Sequence, residues 1–163
     1  MARSIFIGFH YQQDIWRVNV IRNQYLTKGG YEVAGYWDHS LWEKIKKSGV
    51  EAIEHLINDG LKGTTVTVVL IGSQTAERRW VKYEIKNSYE KGNGLLGIYI
   101  HKIEDQSGLT SAKGQNPFGN FTVGTGSQKK YLSDLVATYD WIDDEGYENF
   151  GSWIEKAAKA SGH

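Results

Sequence analysis

Residues 77–85 read ERRWVKYEI, separated by three residues from the largely apolar run VTVVLIGS (66–73). Trp80 and Glu84 stand four residues apart, the spacing that places two side chains on one face of a helix. Val81 and Ile85 form the apolar stripe beside them, so Glu84 falls at the margin of the buried face. Two chemistries are open to a carboxylate there. Among Arg78, Arg79 and Lys82 it makes surface ion pairs worth a few tenths of a kcal/mol. Leaning into a cleft, it is a group that can stabilise positive charge developing on a ligand. The chain has no cysteine, which excludes disulfides, thiolate metal sites and a Cys nucleophile.

Which chemistry applies depends on the elements around the helix. TTVTVVLIG (64–72) is a continuous β-branched run, the mark of a central parallel strand buried on both faces. Shorter runs at 4–9, 31–37, 95–101 and 136–141 read as further strands. Helical periodicity runs from Asp14 to about Lys28 and from Val50 to Leu61. It continues from a cap at Ser73 or Thr75 to Lys91, and from about Asp144 to Ala160. Residues 40–47 read as an irregular or short helical connection. Alternating strands and helices predict one flavodoxin-like α/β domain over 1–163, with a five-stranded parallel sheet and helices on both faces. The stretch 102–135 holds five glycines and the only proline and lacks periodicity, so it reads as a long loop. Within it, FTV (121–123) and KKYL (129–132) around GTGSQ read as a small hairpin.

In such a sheet the ligand crevice lies beyond the carboxyl ends of the strands. Those ends carry Phe9-His10, Trp37-Asp38, Gly72-Ser73, His101 and Asp140, a polar and aromatic set suited to a nucleotide. No GxGxxG stands where a strand leads into a helix, since GNGLLG (92–97) follows a helix and opens a strand, and no Walker A loop is present, which argues against dinucleotide-binding Rossmann and P-loop chemistry. A phosphorelay receiver needs an acidic cluster after strand one, an aspartate after strand three and a lysine after strand five. Phe9-His10, Gly72-Ser73 and Asp140 stand there instead. Nineteen basic and nineteen acidic residues cancel, so bulk charge favours no nucleic acid partner. No apolar run is long enough to span a bilayer, and a bacterial cytoplasmic location is the default expectation. Six Trp and ten Tyr fit either a well-packed core or an aromatic-lined cleft.

Several blocks, in order, carry a resemblance. FIGFH resembles the first conserved box of TIR domains, and YEVAGYWD resembles their strand ending in an aspartate. TVVLIGSQ followed by RRWVKYEI resembles their strand, Ser-containing turn and Trp-x-x-x-Glu. With FHYQQDIWRVNVIRN, LINDGLKGTTVTVVLIGSQT, KGQNPF (113–118) and YDW, the chain is similar to the TIR-like proteins of the bacterial Thoeris anti-phage system. The similarity spans nearly the whole chain and is thinnest across 119–133.

The resemblance implies a TIR fold and an enzyme that consumes NAD⁺ as substrate, with no separate cofactor and no metal. It implies that Glu84 is the glutamate that cleaves the bond between nicotinamide and ribose. By position it implies substrate contacts from Phe9, His10, Asp38, Gly72, Ser73 and Trp80. Asp38 reads equally as a turn cap, and His10 as a structural histidine. Gly8 stands where the TIR box usually has serine, which removes a hydroxyl from the substrate side. The product implied is a cyclic ADP-ribose isomer or related conjugate, a diffusible signal that activates a separate effector. A phage-derived trigger and a homo-oligomer belong to the same expectation. A plain NAD⁺ hydrolase, a non-catalytic TIR interaction module and a nucleoside deoxyribosyltransferase-like enzyme are the alternatives.

Overall fold

The computed structural model describes residues 3–26, 30–37 and 39–163; of residues 25, 26 and 39 it describes the backbone alone. Five strands form one parallel sheet: β1 (Ser4–Gly8), β2 (Glu32–Ala34), β3 (Val66–Ile71), β4 (Gly94–Tyr99) and β7 (Ala137–Asp140). Their spatial order is β2-β1-β3-β4-β7, with β3 central and buried along its whole length. Successive side chains of a strand point to opposite faces. Val66, Val68 and Leu70 of β3 accordingly join a core with α1 (Tyr11–Ile21), α3 (Val50–Leu61) and α5 (Gly146–Ala160). Val69 and Ile71 join a second cluster with Val81 and Ile85 of α4 (Arg79–Lys91). The result is an α/β flavodoxin-like sheet with helices on both faces. A two-stranded hairpin, β5 (Thr122–Val123) with β6 (Lys130–Tyr131), forms where FTV and KKYL place it.

Several boundaries differ from the sequence reading for local reasons. The first helix begins at Tyr11, because the Gln13 N–H donates to His10 Nδ1 at 3.3 Å and His10 becomes its cap. It passes into a π-helical turn at Arg22–Leu26, and the expected end near Lys28 lies outside the described residues. Strand β2 is shorter than 31–37. It stops where Gly35 turns to φ +85°, so close to β1 that a Cβ there would stand 2.4 Å from the Ile7 carbonyl oxygen. Of the two readings for 40–47, irregular or short helical, the helical one forms, as α2 (His39–Lys47). The helix bearing Glu84 starts at Arg79 rather than from a Ser73 or Thr75 cap. Thr75 opens a separate 3-10 turn, and its hydroxyl accepts the Gly72 N–H at 2.7 Å.

The long segment after β4 is pinned over the sheet. Arg17 of α1 donates to the carbonyls of Ile103 at 2.7 Å and Leu109 at 2.9 Å. Gly114 passes so near β3 that a Cβ on it would stand 2.0 Å from the Gly72 carbonyl oxygen. At the opposite end of the sheet, Gly94 faces the backbone of α5, where a Cβ would meet the Ala157 carbonyl oxygen at 2.4 Å. Gly94→Ala is therefore expected to destabilise the fold by about 1–3 kcal/mol, the usual cost of overpacking. Urea unfolding monitored by circular dichroism reads this directly. An unchanged midpoint would show that α5 is free to shift. Among the described residues no helix is long and apolar enough to cross a membrane.

Candidate active site

Helix α4 packs its Val81 and Ile85 stripe against the sheet, with Ser88 bonded to Thr67 of β3 at 2.7 Å. This docking carries Glu84 inward. It is 5% exposed, and its Oε2 has no hydrogen-bond partner among the described residues. The surface ion-pair reading therefore fails, since Glu84 is neither exposed nor bridged to a cation. Burial alone pushes its pKa well above the usual carboxylate range.

Glu84 forms one wall of a cavity shared with Phe9 and Trp80, the two predicted residues that the structure brings to it. Tyr11, Trp37 and Trp42 close the other side, and Arg78 stands at the start of α4. The rings interlock: Trp37 and Trp42 stack at 5.9 Å and 13° between planes, and Tyr11 lies 5.7 Å from Trp42 and 5.9 Å from Phe9. Trp80 is steadied by the Arg79 guanidinium 4.8 Å from its ring and by Tyr83 at 5.7 Å. The free room in the cavity is about 20 Å³, enough for one water molecule.

The other predicted residues lie elsewhere. His10 caps α1, and burial together with nearby Arg78 lowers its pKa. Gly72 and Ser73 border a second buried carboxylate rather than this cavity. Asp14, 1% exposed, sits where a Cβ on Gly72 would be, 2.1 Å from that position. Its pKa is raised by burial to about 6, against the opposing pull of Arg17 and the Thr75 hydroxyl. Ser73 accepts a bond from the Gln13 side chain at 2.8 Å. Asp38 lies outside the described residues. His101, at the end of β4, is a further buried group, 3.9 Å from Asp140, with burial lowering its pKa.

Sequence reasoning missed Tyr11, Trp42, Arg78 and Asp14. The surplus of aromatics fitted a packed core as well as a lined cleft and named no rings, because Tyr11 and Trp42 meet only through the fold. Asp14 was readable only as a helix-start residue.

The fold is that of a TIR domain, here with a glutamate set in an aromatic cavity beside the central strands. The chain superposes on the crystal structure of the TIR domain of the Toll-related receptor TRR-2 from Hydra magnipapillata, with TM-score 0.55 at 10% identity over 95% of this chain and 97% of that one. The model of the Thoeris protein ThsB, TIR-like domain, matches residues 6–105, and the chain belongs to this family. It is 40% identical to a Bacillus cereus (strain MSX-D12) protein named "Putative cyclic ADP-D-ribose synthase ThsB1", over 94% of this chain and all of that one.

Proposed function

We propose that the chain cleaves the nicotinamide–ribose bond of NAD⁺ and closes the remaining ADP-ribose into a cyclic isomer or related conjugate, a signal read by a separate effector in anti-phage defence. The observation that carries the reading is the buried Glu84 carboxyl, its Oε2 without a partner among the described residues, lining one cavity with Trp80. The Bacillus cereus relative, named "Putative cyclic ADP-D-ribose synthase ThsB1", supports the reaction class.

Nicotinamide in NAD⁺ is already a cation and leaves without a general acid. The C1′–N bond breaks with its electron pair passing to the ring, and positive charge develops on the ribose. A carboxylate is then the one group the step requires. Glu84 rests in a site where its protonated form is favoured. Entry of a cationic ring opposite it favours the ionised form, because an opposite charge nearby lowers a carboxyl pKa. A ribose hydroxyl or adenine ring nitrogen of the same molecule then bonds to C1′, and the proton of that hydroxyl, or one from the adenine 6-amino group, passes to the Glu84 carboxylate or to solvent as the cyclic product leaves.

The cavity has room for about one water, so it must widen before the nicotinamide end of a dinucleotide enters. Trp80 then faces the nicotinamide as a flat wall, and Trp80→Ala is expected to raise KM for NAD⁺ about tenfold, as one lost aromatic contact of roughly 1 kcal/mol or more would do. Steady-state nicotinamide release measures this; an unchanged KM would move the ring away from Trp80.

The test is incubation of the purified protein with NAD⁺ and mass spectrometry of the products. Nicotinamide with a companion one water lighter than ADP-ribose is the expected result. ADP-ribose alone would make the chain a hydrolase. Intact NAD⁺, with and without phage lysate as trigger, would overturn the reading and favour an interaction module.

A further inference from the structure

Residue 8 lies near the end of β1 and is paired with Val69 of β3. A Cβ built on Gly8 would stand 2.4 Å from Glu84 Oε2 and 3.5 Å from Glu84 Cδ. The next neighbour, Val69 Cγ2, is at 4.0 Å, an ordinary contact. The tip of Glu84 therefore fills the volume that any side chain at residue 8 would claim, and Oε2 is sealed there without a partner.

The elements packed around this spot supply little to hold a charge. β3 presents Val69, and the wall beyond β2 presents Gly35, Trp37 and Trp42. The titratable and charged groups nearby are His10 where β1 meets α1, Tyr11 of α1 and Arg78 at the start of α4. Arg78 acts on His10, whereas for Glu84 burial is the cause that counts. Burial favours the protonated form of a carboxyl in this position, and its Oε2 lies against β1 while the residue still lines the cavity.

We propose that Gly8 is a positioning residue: its missing side chain leaves a niche on β1 into which the Glu84 carboxyl withdraws at rest, and a swing of Glu84 out of this niche precedes NAD⁺ cleavage. The proposal rests on the reading of Glu84 as the cleaving carboxylate. It makes residue 8 the setting that fixes how readily the enzyme passes from rest to turnover. A larger side chain there biases Glu84 outward, because only the flexible tip of Glu84 comes within clashing distance.

The deciding variant is Gly8→Ala, compared with wild type by carbon-13 NMR titration of the side-chain carboxyls, with the Glu84 signal assigned by its loss in Glu84→Gln. The Glu84 midpoint is expected to fall by at least about one pH unit in Gly8→Ala, as the group leaves its desolvated niche. The acid limb of nicotinamide release should move to lower pH with it. Coincident midpoints would overturn the proposal. The titration needs no turnover, so a shifted midpoint with no nicotinamide from either protein would overturn the catalytic reading and leave the niche standing. A second comparison guards against misfolding: any loss of stability from Gly8→Ala should vanish when the same change is made in Glu84→Ala. An equal loss in both backgrounds would show that residue 8 is crowded by something other than Glu84, and would sink the idea.

Discussion

Glu84→Gln should reduce nicotinamide release from NAD⁺ by about a hundredfold or more, the typical consequence of deleting one group that stabilises transition-state charge. The substitution keeps size and shape and removes only the ability to carry negative charge. KM should change little, because the charge is needed as the ribose becomes cationic rather than when the substrate docks. Stability should move the other way from activity. A buried carboxyl whose Oε2 has no partner is a burden on the fold. Replacing it by an adaptable apolar side chain, Glu84→Met, should therefore raise unfolding stability by about 1 kcal/mol or more. Product analysis and urea unfolding on the same preparations check both halves. Equal turnover by wild type and Glu84→Gln would make Glu84 a structural residue. A marked loss of stability in Glu84→Met would show that the carboxyl is held by contacts that matter to the fold.

The second large effect is a pH dependence of stability that belongs to Asp14. In the unfolded chain this group gives up its proton near the ordinary 3.8; in the fold it keeps the proton to about 6. Between those values the native state binds more protons than the unfolded one, so stability falls as pH rises. The stabilising contribution is complete below about 3.8 and gone above about 6, a span of roughly 3 kcal/mol as an order of magnitude. Glu84 acts in the same direction from its own ordinary range upward. His10 and His101 oppose both, since their lowered pKa values make the unfolded chain the stronger proton binder below the usual imidazole range. The difference between wild type and Asp14→Asn isolates the aspartate. Asp14→Asn should gain on wild type through pH 4–6 and hold that gain at pH 7, read by urea unfolding at a series of pH values. Parallel curves would mean that Asp14 titrates alike in both states.

Much of this arrangement was legible in the chain. The β-branched run of β3 announces a central strand, and Trp80 with Glu84 announces a shared helix face, because both are local patterns with fixed periods. The hairpin of β5 and β6 was readable from the glycine-containing turn GTGSQ between FTV and KKYL. Depth was not legible. Glu84 was placed at a margin and lies buried, because how far a helix settles depends on partners such as Thr67 with Ser88 and on the empty space at Gly8, which only pairing of distant segments creates. The same holds for Asp14, which meets Gly72 and Thr75 across some sixty residues of sequence. Where a pattern is local the sequence speaks for itself; where a cavity is made by absence of atoms, it does not.

The stacked indoles of Trp37 and Trp42 have an optical consequence. Two such chromophores, 5.9 Å apart and 13° from parallel, share their excited states, and their transitions split into a coupled pair. The coupling falls steeply with separation and changes sign with relative rotation. The closed cavity therefore carries an intrinsic spectral signature in the ultraviolet circular dichroism of the unlabelled protein. Parting of the two rings would remove it, so opening of the cavity becomes readable in the ultraviolet spectrum of the unlabelled protein.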